Sequence, residues 1–119
     1  MRILIGAVGL MLLAGCATVA DVRATPPVLS LTSARPAEQV AECIRDGWQS
    51  TSLTGGSVGG LLQKSGSGFS VIAPDPVSPW HIADIAPTGT STSKVIYRFH
   101  RKWQAPGANI INVVKTCAG

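Results

Sequence analysis

The sequence has 119 residues, with ten Lys and Arg against six Asp and Glu, a formal net charge of +4, 13% charged residues and 5% aromatic ones. That length fits one small domain, and no internal repeat suggests an array. A multidomain enzyme is excluded, as is a channel of spanning helices, and few carboxylates and histidines are left for catalytic constellations.

The chain begins Met1-Arg2, then runs from Ile3 to Leu12 as an apolar stretch of signal-peptide length, then reads Leu13-Ala14-Gly15-Cys16. One positive charge, a short apolar run, small residues and a cysteine form an export signal rather than a spanning helix. The tetrapeptide Leu13-Ala14-Gly15-Cys16 resembles the lipobox of bacterial lipoproteins. The resemblance implies that residues 1–15 are removed and that Cys16 carries a diacylglycerol on its thiol and an acyl chain on its amine; beyond these covalent lipids no cofactor is expected. In such proteins an aspartate after the modified cysteine commonly retains the product at the inner membrane. Ala17 stands there, so the resemblance implies the outer membrane, facing the periplasm. Two or three acyl chains hold a protein to a bilayer almost irreversibly, at ~0.8 kcal/mol per buried methylene.

Residues 16–27 read as a lipidated N-terminus and tether, mostly small residues closed by Pro26-Pro27, a pair that fits neither helix interior nor paired strand. Extended, residues 17–27 would reach ~40 Å at ~3.6 Å each. Residues 28–119 are expected to form the periplasmic domain. Val28 to Thr32 has the β-branched character of a short strand. From Pro36 to about Ser50 the period changes: Ala37, Val40, Ala41, Ile44 and Trp48 recur at spacings of three and four and make one helical stripe. Pro36 suits the first turn, with Ser33 or Arg35 as cap and Glu38 favourably placed against the helix dipole.

Residues 50–68 hold six glycines and read as a flexible loop enclosing at most a short hairpin. Gly59-Gly60-Leu61-Leu62-Gln63-Lys64-Ser65 only superficially resembles a phosphate-binding loop, because Gln63 stands where a glycine should precede Lys64. Phe69 to Ile72 and Trp80 to Ile85 fit two antiparallel strands separated by a turn through Pro74, Pro76 and Pro79. From Lys94 to Trp103, Val95, Tyr97, Phe99 and Trp103 share one parity and Lys94, Arg98, His100 and Lys102 the other. That pattern predicts one buried aromatic face and one basic, wet face. Residues 109–117 match two periods. A short helix capped by Asn109 would bring Cys117 to the same side of the sheet as Cys43, while a last strand suits the β-branched residues.

The fold class expected is therefore α+β: a small antiparallel sheet of about four strands, one helix after the first strand, and a short C-terminal helix. With Cys16 assigned to lipid and the chain exported, Cys43 and Cys117 remain to form one disulfide. No spacing here supports a metal site or a redox pair, and His81, His100, Asp46, Asp75 and Asp84 suggest no catalytic pair. Both histidines are expected at the surface or an edge, and Trp48, Trp80 and Trp103 in the core. All six acids lie at or before Asp84, so Lys94 to Lys115 carries five positive groups and no negative one. Lys94, Arg98, His100 and Lys102 are the candidate binding face, suited to an anionic envelope component or an acidic protein surface; periplasmic exposure argues against nucleic acid. The function expected is a non-catalytic, membrane-tethered lipoprotein that binds an envelope component or supports envelope assembly. The alternatives are an inhibitor or immunity-type lipoprotein and a small cell-wall or lipid hydrolase.

Overall fold

The computed structural model describes residues 18–53, 56–57, 59–77, 79–100 and 106–119. The signal segment, the tetrapeptide ending in Cys16, and Lys102 and Trp103 of the expected basic strand lie outside the described residues. In chain order the elements are α1 (Val19–Arg23), β1 (Leu29–Ser33), α2 (Ala37–Ser50), a short hairpin of β2 (Ser52–Leu53) and β3 (Gly56–Ser57), β4 (Leu61–Ser65), β5 (Gly68–Ala73), β6 (His81–Pro87), β7 (Ser93–Phe99) and α3 (Ala108–Ala118). The main sheet has the order β1-β7-β6-β5-β4, every neighbouring pair antiparallel. β4 to β7 form a meander, which needs only short turns. β1 lies at the far edge beside β7, and α2 spans the sheet to carry the chain to the β4 edge.

The class is α+β as expected, with five strands in the main sheet rather than four. The additional strand is β4, inside the stretch read as a glycine-rich loop. Its sequence hides it: β4 is an edge strand, half-buried at Leu62 and exposed elsewhere, so little hydrophobic alternation reaches the sequence. Its register is set by the two-residue turn Gly66-Ser67, where Ser65 pairs with Gly68 and Gly66 takes φ +60°. A positive φ at the first central position followed by a negative one is the pattern of a type II′ hairpin turn, and glycine supplies it without strain.

The expected stripe of α2 is buried at all five positions, Ala37, Val40, Ala41, Ile44 and Trp48. Its start differs from expectation by one residue. Pro36 is the N-cap, its carbonyl accepting the Val40 N–H at 3.1 Å. Ser33 ends β1, and its hydroxyl accepts the Arg35 N–H at 3.2 Å. Residues 108–118 are helical, which settles the double period in favour of the helix. α3 packs beside α2 on one face of the sheet, and Ile110, Val114 and Cys117 turn into the common core. Trp48, fully buried, ties the helices together by donating its indole N–H to the Ile110 carbonyl at 3.3 Å. Cys43 and Cys117 are bonded, with Cα atoms 5.6 Å apart.

The opposite face of the sheet departs most from the sequence reading. The segment expected as a tether is helical from Val19 to Arg23 and docks on that face. Thr18 caps it: its hydroxyl accepts the Asp21 N–H at 3.2 Å, and the Asp21 carboxylate accepts the Thr18 N–H at 2.9 Å. This reciprocal pairing satisfies two backbone donors and sets the first turn. Val22 is then buried against Ile72 and Ile82, with Val19 at the margin, as a second small core. The apolar pair Ile72 and Ile82 on the outer face is the physical reason the segment does not stay extended. Burying it removes apolar area from water, which small residues in a free tether would not do.

Candidate functional site

On the α1 side of the sheet, β5, β6 and β7 bring Ser70, Asp84 and Arg98 to one face, and α1 adds Arg23. Asp84 is the centre. Arg23 donates to it twice, from Nε to Oδ2 at 3.2 Å and from a terminal nitrogen to Oδ1 at 2.9 Å. Ser70, itself buried, donates to Oδ1 at 2.6 Å and accepts from the same Arg23 nitrogen at 2.9 Å. Arg98 approaches Oδ2 at 3.6 Å and donates from Nε to the Thr25 carbonyl at 3.2 Å. The two-point contact suits a guanidinium, whose planar fork matches a carboxylate. The hydrogen bond to Asp84 raises the pKa of Arg23 above its usual value, against the opposing effect of burial.

Two guanidinium groups around one carboxylate leave one positive charge in excess. Beside them lies a shallow depression of about 390 Å³, to which Arg23, Asp84, Ser65 and Ser67 contribute. The carboxylate is committed to donors already present, so the cluster has the chemistry of a structural clamp with residual positive potential.

The expected basic face is thus present in part. Lys94 is exposed on β7. Arg98 shares its face but is only 19% exposed and already engaged. Lys94 and Arg98 are separated by about 13 Å along the strand, from a rise of ~3.3 Å per residue. His100 is half-buried just past β7, its backbone N–H donating to the Trp80 carbonyl at 3.0 Å. Among the described residues a continuous wet strip of cations does not form, because Arg98, between Lys94 and His100, is drawn to Asp84 and the Thr25 carbonyl. The sequence did carry a signal for α1, the spacing Thr18-x-x-Asp21 of a capping box before an apolar residue.

His81, expected at the surface or an edge, is 5% exposed. Its parity on β6 points it to the two-helix side. Its ring stacks on Phe99 with centroids 4.9 Å apart, lies 5.8 Å from Trp48, and shares a hydrogen bond of 2.8 Å between Nδ1 and the Tyr97 hydroxyl. Burial lowers its pKa from 6.5 to about 4 and raises that of Tyr97. Asp84 has the opposite parity on the same strand, so the sheet separates the two. Asp46 is on α2, paired with Arg45 at 3.0 Å, and Asp75 is in the turn after β5, accepting the Val77 N–H at 2.9 Å. Among the described residues no three His, Cys, Asp or Glu side chains converge on a point where a metal could bind. In the former phosphate-loop stretch, residues 61–65 are a strand and the Gly60 carbonyl accepts from the Gln49 side chain at 2.9 Å. Of the three tryptophans, Trp48 is in the core, Trp80 is 38% exposed, and Trp103 lies outside the described residues.

No protein-family model, no curated protein and no solved structure matches the chain.

Proposed function

We propose that the chain is a bacterial lipoprotein, anchored through acyl chains on Cys16 to the periplasmic side of the outer membrane, and that its domain binds an anionic envelope component without catalysing a reaction. The observation that carries this reading is the order of residues at the N-terminus: a positive charge, an apolar run, then Leu13-Ala14-Gly15-Cys16. The Cys43–Cys117 bond supports it, since disulfides persist in oxidising compartments such as the periplasm. The excess positive charge from Lys94 onward supports the anionic ligand, and the commitment of Asp84 to Arg23, Ser70 and Arg98 favours binding over turnover.

The anchor is tested by mass spectrometry of the N-terminal peptide and by fractionation of wild type and Cys16→Ser. Acylated Cys16 in the membrane fraction, with Cys16→Ser released into the periplasm, is the expected result; an unmodified Met1 terminus sinks the reading. The binding role is tested by crosslinking in the native envelope. Lys94→Glu is the variant to use, because Lys94 is exposed on β7 while reversing Arg98 would also break its contacts with Asp84 and Thr25. Recovery of a partner from wild type and its loss from Lys94→Glu is expected, and equal recovery from both removes this face from the site.

A further inference from the structure

The described residues include four exposed large apolar side chains, and two of them, Val77, 87% exposed, and Trp80, 38% exposed, belong to the connection between β5 and β6. Trp80 directly precedes β6. Its N–H donates to the Ala73 carbonyl at 2.9 Å and its carbonyl accepts from His100, so it continues the sheet end. It has the parity of Ile82, two residues on, and that parity is the α1 side. Ile82 pairs across the strands with Ile72, and these two are the seat of Val22 and Val19. At ~3.3 Å per residue, Trp80 lies about 7 Å along the strand from the place where α1 docks.

The position of α1 fixes where the chain enters the domain. Thr18, its cap, is two residues from Cys16, a span of at most ~7 Å. α1 is held to the sheet by the Arg23 contacts to Asp84 and Ser70 and by burial of Val22. A lipid-bearing Cys16 therefore leaves no long spacer between bilayer and domain while α1 is docked. The face next to α1 then lies closest to the headgroups; the exposed apolar side chains toward it are Leu61, which pairs across the strands with Ile72, and Trp80 just before β6, with Val77 in the turn that leads to it. Tryptophan is the side chain that combines apolar area with a polar edge, which suits the headgroup zone. Asp75, beside them, turns its carboxylate onto the Val77 N–H at 2.9 Å.

From this juxtaposition we propose that the sheet end carrying Val77 and Trp80 is a bilayer-contacting surface, on which both side chains enter the headgroup region of the membrane that holds Cys16. The proposal rests on the lipoprotein reading and adds to it an orientation: the β5–β6 turn faces the lipid, and the Cys43–Cys117 edge of the helical layer remains available to other partners.

The test uses the full chain, acylated in its host, purified in detergent and reconstituted into phosphatidylethanolamine and phosphatidylglycerol vesicles containing phosphatidylcholine brominated near the headgroup end of its chains. Subtracting the emission of Trp80→Phe from that of wild type isolates Trp80. The expected result is a blue-shifted Trp80 emission that the brominated lipid quenches. Val77→Asp, which keeps Trp80 and alters a side chain outside the core, should lose most of that quenching. Near-ultraviolet circular dichroism from the buried Trp48 and Tyr97 establishes that each variant is folded. A red, unquenched Trp80 in vesicles whose protein carries acylated Cys16 overturns the surface and leaves the anchor standing. Protein with unacylated Cys16 that stays out of the vesicles overturns both.

Discussion

His81 is neutral in the folded domain at a pH where the unfolded chain has already taken up a proton, because burial holds it near 4 rather than 6.5. Stability is then full above the unfolded value and falls as pH drops through the window between 6.5 and about 4. The loss is on the order of 3 kcal/mol, from ~1.4 kcal/mol for each tenfold weakening of proton affinity. Urea midpoints measured across that window should fall with pH for wild type. They should be nearly flat for His81→Asn, whose amide can keep a partner for the Tyr97 hydroxyl while removing the titration. Gly47 makes a different demand. A Cβ there would stand 2.5 Å from Val113 Cγ1, where α2 crosses α3. Gly47→Ala should cost about 1–3 kcal/mol by overpacking, and Val113→Ala in the same chain should recover part of it, a non-additivity that urea titrations would detect. The sequence shows His81 only as a histidine near the start of a strand. Its burial is set by Trp48 from α2 and by Tyr97 and Phe99 from β7, partners that sequence separation conceals. The cysteine pair was legible because, with Cys16 assigned to lipid, only two thiols remained.

Periodicity read α2 well because its five apolar positions all face one core, and β7 well because Val95 and Tyr97 alternate with residues on the other face. β4 failed the same reading because an edge strand with one inward leucine offers almost nothing to alternate. α1 failed it because five residues hold too little pattern, and small residues before two prolines suggest a spacer more strongly than a helix. Its stability comes from tertiary contact, as expected for a helix too short to stand alone in water. Val22→Ala removes two buried methyl groups, worth about 2 kcal/mol with the cavity included. Amides of residues 19–24 should then exchange roughly thirty-fold faster, and those of the central strands β5 to β7 should be unchanged. Uniform acceleration across both regions would instead make α1 part of the cooperative unit that holds the sheet. The candidate site divides in the same way: the alternation marked Lys94, Arg98, His100 and Lys102 as one face, but the pull of Asp84 and the Thr25 carbonyl on Arg98 comes from partners distant in sequence, and among the described members Lys94 is the one that is exposed.

Across the whole molecule, the Cys43–Cys117 bond joins two helices that lie on one face of the sheet, with a sequence separation of 74. Closing a loop of that size stabilises the fold by ~4 kcal/mol in the chain-entropy model. Cys43→Ser should lower the urea midpoint accordingly, and Cys117→Ser should match it, since either change removes the same closure; a variant as stable as wild type would mean that packing around Gly47 and Val113 already holds the helices. The bond also partitions the chain mechanically. A pull applied between Thr18 and Gly119 passes through the sulfur bridge, so α1, β1 and the first half of α2 can be drawn out while every strand from β4 to β7 lies in a loop that carries no load. The oxidised chain yields roughly 90 Å of slack and the reduced chain about 350 Å, at ~3.5 Å per residue. Thiol oxidation thus sets the extensibility of the domain as a leash, short and self-arresting when bridged, long and continuous when not.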